Sequence, residues 1–163
     1  MENTHEVIPS AKRLIKSLRD VGYDFSAAVA DIIDNSIEAG ASRVDITIGF
    51  HGDDSYVRIS DNGKGMSSED LKEAMRYGSE REYDEEDLGK FGLGLKTASM
   101  SQCQRFSVAS KTKLSTEEIP VFCWDMDHID KTNKWEILEL DEKDTIQMII
   151  APLSSHIGTV VLW

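Results

Sequence analysis

Leu14, Ile15 and Leu18 recur at helical spacing behind the Pro9-Ser10 breaker and predict a helix over 11–20, closed by Gly22. A second helical run covers 25–38, with Gly40 as its terminator. The period then changes to two. Val44, Ile46 and Ile48, and after them Val57 and Ile59, alternate with polar residues on either side of His51-Gly52-Asp53-Asp54. That pattern predicts a β-hairpin whose second strand delivers Asp61 at its end. Ser67-Ser68-Glu69-Asp70 combines a serine cap with an acidic first turn and starts a helix reaching about residue 76. Acidic residues dominate 80–87 without apolar periodicity, which predicts a mobile loop running into a glycine-rich stretch. A helix is predicted over 95–102, followed by strands at 106–109, 121–124, 135–138, 147–150 and 159–162.

Helices lead and strands follow, so the expected architecture is a two-layer α/β sandwich with a mostly antiparallel sheet. With 163 residues, and neither an internal repeat nor a linker, the chain is expected to form one domain over 1–163. Its end on an apolar run at Trp163 suggests the N-terminal fragment of a longer protein. The formal net charge of −12 argues against direct nucleic-acid binding, which requires clustered Lys and Arg to neutralise phosphates. Cys103 and Cys123 lack C-x-x-C spacing and read as reduced thiols, placing the protein in the cytoplasm. The four histidines show no metal-ligand spacing, and no apolar run reaches membrane-spanning length.

The candidate chemistry lies in three polar signatures. At about 100° per residue, the helix over 25–38 gathers Asp31, Asp34, Asn35 and Glu38 on one arc, opposite Val29, Ile32, Ile33 and Ile37. Asp31 and Asn35, four apart, are side-chain neighbours able to serve one bound group. A carboxamide oxygen suits Mg²⁺, which keeps waters and shares substrate phosphates; a carboxylate one turn earlier could orient a water toward a γ-phosphate. The second signature, Asp61-Asn62-Gly63-Lys64-Gly65-Met66, follows a strand and reads equally as a tight turn or as a base site. In the latter, Asp61 accepts from an exocyclic amine, the glycines admit the base, and Met66 forms an apolar wall. The third, residues 89–97, exposes backbone N–H groups at a helix N-terminus, as a phosphate cradle does. It lacks the G-x-x-x-x-G-K-[ST] spacing of a Walker A loop and the third glycine of a dinucleotide fingerprint.

In this order, the three signatures resemble the N, G1 and G2 boxes of the GHKL superfamily of gyrase B subunits, heat-shock chaperones, histidine kinases and MutL. Ala30-Asp31-Ile32-Ile33-Asp34-Asn35-Ser36 and Gly92-Leu93-Gly94-Leu95-Lys96-Thr97 look most similar to the MutL and MORC branch. The resemblance implies the Bergerat fold, with ATP and Mg²⁺ held between helices and sheet. On that pattern Asn35 ligates Mg²⁺ and contacts the nucleotide, and Asp61 binds the adenine amine. Ala39, Gly63, Gly65 and Met66 line the base. Lys90, Phe91, Gly92, Leu93, Gly94, Leu95, Lys96 and Thr97 close on the phosphates, and Thr159 in Gly158-Thr159-Val160 assists Asp61. Asp31 takes the catalytic place, where gyrase, MutL and MORC carry a glutamate one methylene longer.

The function so implied is a Mg-dependent ATPase whose nucleotide state closes a lid over 80–88 and drives rearrangement or homodimerisation of the longer protein. Two alternatives accompany it. One is an ATP sensor that does not hydrolyse. The other is a histidine-kinase-type phosphoryl-transfer domain, for which His5-Glu6-Val7-Ile8-Pro9 resembles a phosphoacceptor box.

Overall fold

The computed structural model describes residues 4–20, 23–78, 94–113, 119–141 and 147–163. The expected terminator Gly22 and the loop over 80–88 lie outside these described residues, as do Lys90, Phe91, Gly92 and Leu93. The chain runs α1 (Ala11–Asp20), α2 (Phe25–Glu38), β1 (Val44–Gly49), β2 (Tyr56–Asp61), α3 (Ser68–Met75) and α4 (Gly94–Gln102). It continues with β3 (Arg105–Lys111), β4 (Val121–Asp125), α5 (Met126–Thr132), β5 (Leu138–Glu139), α6 (Gln147–Ile150) and β6 (Gly158–Leu162). The strands form one sheet in the order β1-β2-β6-β3-β4-β5, every neighbouring pair antiparallel. The expected α/β sandwich with an antiparallel sheet is the observed fold.

Helices α1 to α5 cover one face. Their buried side chains, among them Ile15, Ile32, Leu71, Met75, Met100 and Ile129, meet Ile59, Phe106, Val108, Phe122 and Val161 from the sheet. The alternate residues Ala109, Val121, Val160 and Leu162 point to the reverse face, as the two-residue period of a strand requires. There they are covered by Ile149 and Leu153, from α6 and the 3₁₀ turn Ala151–Ser154.

Two of the expected strands are corrected. Residues 147–150 form a helical turn because the ladder has no place for them: β6 fills the gap between β2 and β3. The apolar run instead puts Ile149 and Leu153, four apart, onto the reverse face, a burial contributing about 1.5–3 kcal/mol per side chain. In the run 135–138 only Leu138 enters a strand. Trp135 packs against Tyr77 and Trp124, at centroid distances of 5.7 and 6.4 Å, and donates from Nε1 to the Pro9 carbonyl. Its apolar character serves an aromatic cluster and not a ladder. Helix α5 was not anticipated; Asp125 caps it by accepting from Asp127 N and His128 N, and Asn133 ends it in the left-handed region.

Candidate functional site

Helix α2 begins where Asp24 accepts from Ala27 N at 3.0 Å, satisfying one of the orphan amides of its first turn. Its buried stripe is Ala28, Ile32 and Ser36, whereas Ile37 is 59 % exposed. The buried side is thus rotated from the apolar arc toward the polar one. Ser36 explains the rotation: its Oγ lies 3.1 Å from both the Ile32 carbonyl and Asp61 Oδ2, so the helix seats a hydroxyl against the carboxylate that ends β2.

Asp61 is 7 % exposed and held from three sides. Gly63 N and Thr159 N donate to Oδ1 at 2.8 and 3.2 Å, and Ser36 faces Oδ2. Burial raises its pKa above the usual carboxylate range, although the bonds from Gly63, Ser36 and Thr159 and the nearby His156 pull the other way. The following turn is tied down on both sides. Lys64 N donates to the Ala39 carbonyl at 3.0 Å, and Met66 N donates to Ser110 Oγ at 2.8 Å. Gly65 has φ 69°, and a Cβ there would collide with the Lys111 carbonyl, so this turn accepts only glycine. Ser110 Oγ also lies 2.8 Å from Thr159 Oγ1, joining β3 and β6 behind the turn.

A cleft with a cavity of about 220 Å³ opens between α2 and the sheet. Of the residues named from sequence, Asn35, Ala39, Asp61, Gly65, Met66, Gly94, Leu95, Lys96 and Thr159 line it together. Gly63 stands behind Asp61, and Asp31 and Thr97 lie off the cleft wall. Asp31 is nevertheless close to one end: its Oδ2 is 3.8 Å from where a Cβ on Gly94, the first residue of α4, would stand. The cleft therefore runs from a buried acceptor at Asp61 toward a helix N-terminus, beside which stand Asn35 and Asp31.

The volume is below the roughly 300–1,000 Å³ usual for a drug-sized ligand, so the enclosed part has room for a group the size of a base. The Asn35 carboxamide accepts nothing from the described residues and faces the cleft, which fits a hard oxygen ligand for Mg²⁺ sharing its shell with water and phosphate. Among the described residues there is no cluster of His, Cys, Asp and Glu that could hold a metal by itself.

Lining residues that sequence reasoning missed as site members include Ile32, Ser36, Lys64 and Val161. Ser36 carried a signal, a polar side chain at a position of the wheel flanked by apolar residues, which must find a partner when buried. Lys96 was named for phosphate contact but is only 1 % exposed. Its Nζ donates to the Ala74 carbonyl at 2.8 Å, in the last turn of α3, and stands 6.0 Å from the Tyr77 ring centre. Burial lowers its pKa to about 8, with Glu73 acting in the opposite sense.

A buried carboxylate acceptor, an uncommitted carboxamide and a helix N-terminus along one cleft of an antiparallel sandwich are the chemistry of a nucleotide-binding α/β domain. The family of histidine kinase-, DNA gyrase B- and HSP90-like ATPases matches residues 23–159, and the chain belongs to that family. The DNA mismatch repair protein MutL of Shewanella denitrificans is 36% identical over 97 residues, 56% of this chain and 14% of that protein. MutL of Shewanella frigidimarina is 35% identical over 97 residues, 56% of this chain and 16% of its own length. The chain thus spans a small part of these relatives. Membership carries ATP binding in general to this chain, within a MutL-like branch of the GHKL fold. No helix among the described residues is long and apolar enough to cross a membrane.

Proposed function

We propose that the chain binds ATP with Mg²⁺ in the cleft between α2 and the sheet and hydrolyses it, the nucleotide state acting as a conformational signal. The observation that carries this reading is that Asp61 and Asn35, from separate sequence signatures, line one cavity. Asp61 accepts the adenine amine, Met66 packs against the base, and Asn35 ligates Mg²⁺. Gly63 supports Asp61 from its own backbone, and the backbone at Gly94 and Leu95, with Lys96 and Thr97 behind it, faces the phosphates. The resemblance extends the phosphate contacts to Lys90, Phe91, Gly92 and Leu93 and gives the segment over 80–88 the part of a lid, all of these lying outside the described residues. Mg²⁺ supplies charge neutralisation on the phosphates; Asp31 takes the proton from the attacking water.

The domain acts as part of a longer protein in which ATP drives homodimerisation, in the cytoplasm and without direct nucleic-acid contact by this acidic piece. The test measures Mg-ATP affinity and phosphate release for wild type and Asp31→Ala. Affinity is expected to persist in the variant while turnover is lost. Undiminished turnover removes the role of Asp31; tight binding with no release, in the longer protein as well, makes the domain a sensor.

A further inference from the structure

The hydroxyl of Tyr23 donates to Asp31 Oδ2 at 2.6 Å in a partly buried setting. That length belongs to charge-assisted O–H···O⁻ bonds, which are about twice as strong as neutral ones. Among the described residues Oδ1 of the same carboxylate accepts no hydrogen bond, so the phenol claims one oxygen and leaves the other available. The tyrosine is itself anchored: Gln102 Nε2, at the C-terminus of α4, donates to its backbone carbonyl at 2.9 Å, and its ring packs against the core. Because Asp31 accepts from it, the hydroxyl ionises at higher pH than a free tyrosine and remains a donor at neutral pH.

A purely structural staple at this place would be redundant. The start of α2 is already capped by Asp24, and Tyr23 is already held through its carbonyl by Gln102. What remains for the phenol is the orientation of the Asp31 side chain, beside the backbone of Gly94. An aspartate in the place of a glutamate has a shorter reach, so its productive rotamer must be specified more tightly.

We propose that Tyr23 is a positioning residue for ATP hydrolysis, holding Asp31 by Oδ2, the oxygen that approaches Gly94, and leaving Oδ1 to take the proton of the attacking water. This rests on the hydrolysis reading above. In the step, the water oxygen bonds to the γ-phosphorus as the bond to the β,γ-bridging oxygen breaks. ADP leaves with that electron pair, and the water proton passes to Oδ1.

The experiment compares phosphate release and Mg-ATP affinity for wild type, Tyr23→Phe, Asp31→Ala and the double variant. Tyr23→Phe is expected to lower kcat about tenfold, the scale of one hydrogen bond to a charged group, while KM and affinity stay within about twofold. On the Asp31→Ala background, Tyr23→Phe is expected to cost nothing further, because the group it positions is gone. Unchanged or raised kcat in Tyr23→Phe, a parallel loss of affinity, or an additive loss in the double variant overturns the proposal. A wild type that binds ATP without turnover, in the longer protein as well, removes the hydrolysis reading, and this proposal with it.

Discussion

Replacing Asp61 by Asn alters one atom on the cleft floor, and the hydrogen bonds around it separate the effect on binding from the effect on folding. The Asn carbonyl can take the place of Oδ1 and keep both backbone donors, Gly63 N and Thr159 N. Its NH₂ then stands where Oδ2 was, facing Ser36, whose hydroxyl can donate to the Ile32 carbonyl and accept from the amide. Every bond has a substitute, so stability should change by no more than about 1 kcal/mol. The sign favours the variant near neutral pH. A carboxyl with a raised folded-state pKa binds its proton more tightly folded than unfolded, so its ionisation costs stability as pH rises through that value.

Binding behaves differently. The adenine amine now meets a donor, losing a bond to a charged acceptor worth about 1.5–3 kcal/mol and leaving a donor unsatisfied at about 1–3 kcal/mol more. At 1.4 kcal/mol per decade, a combined loss of about 2.5–6 kcal/mol is a Kd raised by between roughly 60-fold and roughly 10⁴-fold. Calorimetric titration with Mg-ATP, beside a thermal melt of the same preparation, reads both quantities. Affinity within threefold of wild type with an intact melt would refute the assignment of Asp61 to the base.

Other expectations follow from the same geometry. Gly65→Ala forces a side chain into the left-handed region and against the Lys111 carbonyl, and should cost more than about 2 kcal/mol in chemical denaturation; a wild-type midpoint would show that the turn can shift. Nucleotide affinity should fade on acidification at a pH above the ordinary carboxylate range, because the acceptor at Asp61 protonates early. Fluorescent-nucleotide binding against pH, with circular dichroism as the folding control, checks this, and affinity flat down to the usual carboxylate range would count against it. In Asp31→Ala, ATP affinity should stay within about threefold while phosphate release falls by at least about a hundredfold, as for loss of a general base.

How much of this was legible in the chain depends on how local the deciding interactions are. Helices α1 to α4, the hairpin and strands β3, β4 and β6 follow from periodicity and capping, which act within a few residues. The three polar signatures were equally visible, because residue type and spacing alone limit what chemistry they can perform. Residues 135–138 and 147–150 misled because an apolar run states only that it will be buried. Whether it joins a ladder depended on β6 occupying the central gap and on Tyr77 and Trp124 waiting for Trp135.

Tertiary structure decided the rest. The rotation of α2 that buries Ser36 and exposes Ile37 arises from a carboxylate 25 residues away in sequence, and no local period contains it. Lys96 lines the cleft but commits its Nζ to the Ala74 carbonyl of α3 for a similar reason, since the acceptor for this buried group belongs to another helix. Spacing established on its own that a carboxamide, an acceptor and a glycine-rich helix start exist in that order. Only the packing of α2 against α4, over the same face of the sheet, brought them to one cleft, because side chains remote in sequence meet through the shared core beneath them.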